Sequence, residues 1–449
     1  MDVSAGIAAA DEVGPRLEKV VERVVAAGDE ASAECRRAFA RAYFRGAPPE
    51  DLLDRSIEHL VAICGSHFGL LQQRTPGQPA LKIERLKAQE TAPAERPTVI
   101  QVVHDDMPFI TDSVRMAVNR RGLTTRLMIH PVLAVVRDKE GALNRILAPG
   151  ETEGEATTES VIHCEIDTPA GNAAELEKDL RETLADVRAA VVDWAPMREK
   201  LTEACEQAAV EAADEPWPQR DEELAFLQWL ADDHFTFLGY RHYRMTEDEQ
   251  GKLLCREPAT GLGILRPDPD DPADDSDLIS RRFDKLSDQA CERALGPGLL
   301  VITKSNTISR VHRPVPMDYI GVKEFNEDGE VVGEHRFIGL FTATAYHHVP
   351  AEIPLLRRKC EQIMERSGFR PDSHAGRTLE HILDTFPRDD LFQMPVDRIY
   401  ETALGILHLQ ERQRVRLFLH PEIFDRYVTC LVFLPRDRFH TRSRKRIER

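Results

Sequence analysis

No apolar run in this 449-residue chain approaches the ~20 residues that a membrane-spanning helix needs. The N-terminus, MDVSAGIAAADEVG, carries Asp2, Asp11 and Glu12 and lacks a basic n-region, so it does not read as a signal peptide. Positive charge is in deficit: 59 Lys and Arg stand against 77 Asp and Glu, a net charge of −18. That argues against a generic nucleic-acid or anionic-membrane binder, because no global positive field draws phosphates in. The eight cysteines (Cys35, Cys64, Cys164, Cys205, Cys255, Cys291, Cys360, Cys430) are scattered singly, with no CxxC pair and no cluster of metal-ligand spacing. They read as reduced thiols of a cytoplasmic protein.

Nucleotide and hydrolase signatures are missing as well. There is no GxxxxGK[ST] and no GxSxG. Gly261-Leu262-Gly263 lacks the third glycine of a dinucleotide fingerprint and does not lead a strand into a helix, so the chain itself is expected to hold no cofactor. Asp232-Asp233-His234 and His347-His348 lack HExxH spacing and read as surface or cap residues, and no metal site is expected. No internal repeat of the solenoid kind is present.

What is there is globular. Hydrophobic residues make up 42% and charged residues 30%, and the length suggests about two to four domains. Residues 1–97 read as an N-terminal helical segment and a Pro-containing linker; Leu17, Val20, Val21, Val24 and Val25 recur at helical spacing. The third helix is expected over 50–65. Across 98–200 the pattern alternates. TVIQVVHDD is a strand, PFITDSVRMAVNRRG a helix ending at Gly122, and RLMIHPVLAVVRD a strand or strand pair that Pro131 confines to an edge or bulge. ESVIHCEID is a further strand, followed by one long helix from Ala173 to about Lys200. That is the order of a ferredoxin-like βαββα(β) unit.

Residues 201–348 open with a helix and continue as short strands of PAS-like character, interrupted by the Asp/Pro-rich stretch 266–277, expected as a solvated loop. Residues 349–413 return to helix, and 414–449 start another unit with two strands and a helix start. The fold class is α+β and multidomain.

His104-Asp105-Asp106, at a strand end opening into a helix, is the most suggestive polar cluster. It reads either as a ligand contact beside free helix N–H groups or as Asp106 capping the helix near Pro108. Arg310, His312, Arg313 and Arg336 are read as partners of the abundant carboxylates rather than as a grip for an anion. The basic run Arg442, Arg444, Lys445, Arg446 and Arg449 reads as a surface helix.

Five stretches, HDDMPFITDSV (104–114), HFTFLGYRHY (234–243), RFIGLFTATAY (336–346), ILDTFPRDDLFQ (382–393) and YVTCLVFLPRDRF (427–439), resemble the N-terminal region of the large NAD-specific glutamate dehydrogenases of bacteria, in the family's order. The resemblance implies an ACT-like module at 98–200, a PAS-like module at 201–348, a helical connector at 349–413 and a second, truncated ACT-like module at 414–449. It implies that the chain is a regulatory and assembly fragment of an enzyme converting L-glutamate, water and NAD to 2-oxoglutarate, ammonia and NADH. The catalytic machinery of that enzyme is not in this chain, which is expected to be inactive alone. A free-standing ACT/PAS amino-acid sensor is the alternative. Partners implied are further copies of the chain and a small amino-acid effector. ACT modules place such an effector at the first strand–helix turn, here Asp105, Asp106, Met107, Pro108 and Phe109, with Asp112 and Ser113 in the opening helical turn.

Overall fold

The computed structural model describes residues 3–85, 97–167, 173–211, 219–267, 279–409 and 414–448, except 423 and 425. Two compact units result, residues 1–191 with 309–314, and residues 192–308 with 315–449.

In the first unit the N-terminal helices are α1 (Val3–Ala26), α2 (Ala33–Tyr43), α3 (Pro49–Leu53) and α4 (Ile57–Leu71). The helix expected over 50–65 is two, because Ser56 starts a new one: its Oγ accepts the backbone N–H of His59 at 3.1 Å. Val20, Val24, Phe39, Tyr43, Ile63 and Phe68 from these helices share one core with Val99, Val103, Leu127, Leu133 and Val161 of a six-stranded antiparallel sheet. Residues 1–97 are therefore not a segment apart. Within the stretch read as linker, β1 (Ala80–Arg85) pairs along its whole length with β2 (Thr98–Asp105), Ala80 opposite Val103 and Arg85 opposite Thr98.

The unit continues with α5 (Ile110–Arg120), β3 (Thr125–Ile129), β4 (Val132–Arg137), β5 (Leu143–Ile146), β6 (Thr157–Ile166) and α6 (Ala173–Val192). The strand order is β1-β2-β6-β4-β5, with β3 also on β6. β3 and β4 follow one another along β6, broken at His130-Pro131 because proline has no N–H for the ladder. The Pro131 carbonyl still accepts the N–H of Val161 at 3.0 Å. β2 and most of β6 are buried on both faces. The N-terminal helices cover one face. α5 and α6, which bury Val114, Ala117, Leu180 and Leu184 outside that core, cover the other.

Charges inside this sheet are paired. Glu159 on β6, wholly buried, accepts hydrogen bonds from Arg74 at 2.9 and 2.7 Å and from Arg137 at 2.8 and 2.7 Å. Glu165, on the same strand, accepts from Arg55 at 3.1 and 2.8 Å and from His59 at 2.6 Å. Burial raises the Glu165 pKa, but its partners His163, His59 and Arg55 outweigh that and hold it well below the carboxylate range.

The second unit has α7 (Trp194–Glu211), α8 (Arg220–Trp229), β7 (Phe235–Asp248), β8 (Gly251–Arg256), β9 (Leu262–Gly263), β10 (Ile279–Arg282), α9 (Asp288–Leu295), β11 (Leu300–Ile308), β12 (Pro316–Phe325) and β13 (Val331–Phe341). The helix expected to run from Ala173 to about Lys200 stops at Asp193, whose carboxylate accepts the N–H of Gly263 at 2.7 Å and pairs with Arg266 at 2.5 Å. The strands form an antiparallel sheet in the order β10-β8-β7-β13-β12-β11, with β9 on β7. After it come α10 (Ala343–His347), α11 (Leu356–Ser367), α12 (His374–Thr385), α13 (Arg388–Gln393) and α14 (Val396–Leu407). Phe226, Phe237, Phe337 and Phe341 share a core with Leu356, Ile363, Leu379, Phe392 and Ile399 of these helices. The hairpin β14 (Arg416–Pro421) and β15 (Val428–Phe433) and the short α15 (Thr441–Ile447) follow. From Asp268 on, the Asp/Pro-rich stretch lies outside the described residues.

Replacing Glu159 by Ala leaves Arg74 and Arg137 buried without their carboxylate, which typically costs about 3–5 kcal/mol. Urea unfolding of Glu159→Ala is expected to show that loss; a change below about 1 kcal/mol contradicts the role assigned to the pair. The pH dependence has a definite sign. Burial first, then repulsion from His163, pushes His67 well below the ordinary imidazole range, and burial lowers His163 too. The unfolded chain takes up protons at these rings that the folded chain does not, so stability falls as pH drops below about 6.5, and falls further below about 4.3 where unfolded Glu165 protonates. Thermal midpoints across that range measure it.

Candidate functional site

The strand–helix turn proposed from sequence is largely self-satisfied. Asp105 ends β2, and its carboxylate pairs with Arg74 at 2.5 Å and with Arg188 of α6. Partial burial raises its pKa, but hydrogen bonds from Arg188 and Arg74 win and hold it below the usual carboxylate value. Asp106 does not cap the helix. Its N–H donates to the Thr158 carbonyl at 2.9 Å and its Oδ1 accepts from the Ser160 hydroxyl at 2.6 Å. The helix starts only at Ile110, after Phe109 in a left-handed conformation (φ 71°), so the exposed Pro108 precedes it and Met107 is half-buried in the turn. The Ser113 hydroxyl donates to the Phe109 carbonyl at 2.7 Å and accepts the N–H of His312 at 3.1 Å. Asp112 stands 3.9 Å from His312, whose ring lies 4.8 Å from that of Phe109.

The turn thus brings all seven residues together, but the two adjacent carboxylates are already engaged. His104 spends its Nδ1 on the Asp105 carbonyl at 2.8 Å. An ammonium group arriving there competes with two guanidinium groups for Asp105.

Other sequence candidates resolve simply. Arg310 pairs with Glu182 at 2.9 Å, and Arg336 with Glu334 at 3.0 Å. His234 stacks on Trp229 with ring centroids 4.3 Å apart and bonds the Trp229 carbonyl. Asp232, Asp233, His347 and His348 form no grouping of metal-ligand geometry with it among the described residues. Arg442, Arg444, Lys445 and Arg446 lie on the short α15, without any buried residue.

A site that sequence reasoning missed lies in the second unit, a half-open cavity of about 430 Å³ lined by Glu223, Arg293, Gly296, Lys323, Lys359 and Phe392 among others. Lys323, on β12, donates to the Gly296 carbonyl at 2.7 Å. Lys359, on α11, donates to the carbonyls of Leu391, Phe392 and Met394 at 2.7, 3.0 and 2.8 Å, at the end of α13, where a cation complements the helix terminus. Glu223 accepts the N–H of Leu299 at 3.0 Å. Burial, then the charge of Arg293, pushes Lys323 down to about 8 and Lys359 down to about 7. Arg293, Lys323 and Lys359 outnumber the two carboxylates of the lining, Glu223 and Glu292, which suits the cavity to a small anion; perturbed lysines in a cleft mark a functional candidate. These five charged residues lie on four different elements. The one local signal was Lys323, a charge that directly follows the apolar stretch YIGV on β12.

The chain resembles known proteins along most of its length. Residues 39–181 match the family description "Glutamate dehydrogenase, ACT1 domain", residues 353–412 match "Glutamate dehydrogenase, helical motif 1", and residues 416–449 match "Glutamate dehydrogenase, ACT2 domain". An NAD-specific glutamate dehydrogenase of Halomonas elongata is 38% identical over 436 residues, 96% of this chain. Those of Pseudomonas aeruginosa and Mycobacterium tuberculosis are 34% and 28% identical over 91% and 86% of it. The chain spans about a quarter of the length of these curated relatives: 27%, 25% and 22%.

The turn's ion pairs make a prediction of their own. Asp105→Ala deprives Arg188 and Arg74 of a half-buried partner and is expected to destabilise the protein by about 1–3 kcal/mol in urea titrations. A stability unchanged within error shows that the carboxylate is free for other use.

Proposed function

We propose a regulatory and assembly role for this chain, which belongs to the large NAD-specific glutamate dehydrogenases, in their N-terminal region from the ACT1 domain through helical motif 1 to the ACT2 domain. The observation that carries the reading is the electropositive cavity of Arg293, Lys323 and Lys359. It is built to receive a small anionic metabolite, such as an amino acid or a 2-oxo acid held through a carboxylate, and nothing around it supplies a dinucleotide fingerprint. Oxidation of L-glutamate with NAD is assigned to the whole enzyme and not to this chain. The strand order β8-β7-β13-β12-β11 supports a PAS-like reading of the module that carries the cavity. Assembly with further copies is part of the proposal. Its support is the hairpin face on which Leu417, Leu419 and Val428 are all more than half exposed; Leu417, Leu419 and Pro421 of β14 stand opposite Val432, Cys430 and Val428 of β15. Among the described residues no helix is long and apolar enough to cross a membrane; a cytoplasmic placement belongs to the proposal.

Calorimetric titration of the 449-residue chain with L-glutamate, L-aspartate, 2-oxoglutarate and phosphate tests the reading. One of these anions is expected to bind, and Lys323→Met to weaken it roughly 10- to 100-fold, the worth of a charge-assisted hydrogen bond. Lys323 and Lys359 gain protons as pH falls through about 8 and then about 7, so affinity is expected to rise in that direction. No heat from any of the four overturns the effector reading. NADH production from L-glutamate and NAD by this chain alone overturns its assignment as non-catalytic.

A further inference from the structure

His242 on β7 and His335 on β13 face each other directly in the sheet register, with ring centroids 4.9 Å apart. Glu324, on the next strand, stands opposite Gly333, two residues before His335, and so on the same face as both rings. One ligand atom from each of the three lies within 4.8 Å of the others, and His242 Nε2 is already 3.0 Å from the Glu324 carboxylate. Atoms bound tetrahedrally to zinc at about 2.0–2.1 Å sit roughly 3.3 Å apart, so only a small contraction separates this cluster from a coordination sphere.

The surroundings prepare both rings for that use. His242 Nδ1 lies 2.8 Å from Glu257, which Arg244 holds in turn at 2.7 Å, so Nδ1 donates to that carboxylate and Nε2 is the ring atom turned to the cluster. His335 Nδ1 lies 2.9 Å from the Tyr240 hydroxyl, while its Nε2 is buried without a hydrogen-bond partner. A hydrogen-bond acceptor behind the imidazole, most often a carboxylate, carbonyl or water, is the usual outer partner of a metal-binding histidine; Glu257 fills that place for His242 and the Tyr240 hydroxyl for His335, and a buried orphan ring nitrogen needs a reason. Space has been kept too. A Cβ at Gly333 would lie 2.5 Å from Glu324 Oε2 and 3.0 Å from His242 Nε2, so any other residue there would crowd the donor atoms.

The geometry points to a divalent-metal site formed by His242, Glu324 and His335, of the two-nitrogen, one-oxygen kind that zinc accepts with a fourth position open to water. The site is independent of the anion cavity, shares no residue with it, and stands or falls separately. It ties three neighbouring strands together at the polar end of the sheet.

The test uses the full 449-residue chain, stripped with a chelator that is then removed, and titrated with Zn²⁺ by calorimetry and with Co²⁺ by visible absorption. One saturable site per chain is expected. The Co²⁺ d–d bands are expected to be those of a four-coordinate ion, without the near-ultraviolet charge-transfer band that a cysteine ligand gives. His335→Gln and Glu324→Gln are each expected to weaken Zn²⁺ at least 100-fold, and Glu257→Gln, which removes only an outer partner, about 10- to 100-fold. Far-ultraviolet circular dichroism of each metal-free variant checks that it is folded. Should the substitutions unfold the chain, the wild-type Co²⁺ spectrum still decides through its intensity and the absence of thiolate charge transfer. No saturable binding by the wild-type chain overturns the proposal. Affinity unchanged in both His335→Gln and Glu324→Gln, or a thiolate charge-transfer band, overturns it as well.

Discussion

A carboxylate with no exposure to water, Glu159, stands in the middle of the first unit's sheet between Arg74 and Arg137. Taking such a group out of water costs several kcal/mol unless its partners are in place, so the surrounding backbone is committed to delivering both guanidinium groups. Arg74 comes from the loop after α4 and Arg137 from the end of β4. Arg74 also reaches Asp105, and Asp105 reaches Arg188 on α6. One chain of alternating charge therefore fastens a loop, three strands and a helix. A slip of one residue in β6 would turn Glu159 to the other face, which makes the network a register lock as much as a source of stability.

That lock decides how the strand–helix turn is used. Asp105 is the link between two arginines, and Asp106 is tied to Ser160 on β6. The turn is a junction of elements first. Ligand chemistry is better served where charges are left in imbalance, and the second unit has two such places of opposite sign. In the cavity, cations outnumber carboxylates and burial lowers two lysine pKa values. At the cross-strand cluster, two ring nitrogens and a carboxylate converge where a glycine keeps space. The same sheet also carries a paired solution, the buried Arg336–Glu334–Tyr319 group, in which Arg336 donates to both partners and to the Ser280 hydroxyl.

Much of the architecture was legible because it is written in local pattern. The βαββα order, the split at Pro131, the return to helix after 350 and the last two strands follow from apolar periodicity and from proline chemistry, which act over a few residues. The misreadings share one cause. The break at Ser56 depends on a single cap, the stop at Asp193 on a carboxylate meeting the N–H of a glycine 70 residues later, and the recruitment of β1 on the free edge of β2. Each is a tertiary choice that overrides a continuous local pattern.

The candidate sites divide in the same way. Residue types and their order along the chain were enough to show the α+β class, the family and the turn at 104–113, because those signals are contiguous. Sequence alone also placed Arg310 and Arg336 correctly among carboxylates, since acidic residues are abundant enough to meet them. It held no sign that Asp105 would be consumed by Arg74 and Arg188, or that Arg293, Lys323 and Lys359 would share a cavity. Nor could it bring His242, Glu324 and His335 to one face. Those neighbours are separated by between 11 and 93 residues and become adjacent only when antiparallel pairing and helix packing set the register, because charge interactions are decided by distance in space and not by distance along the chain.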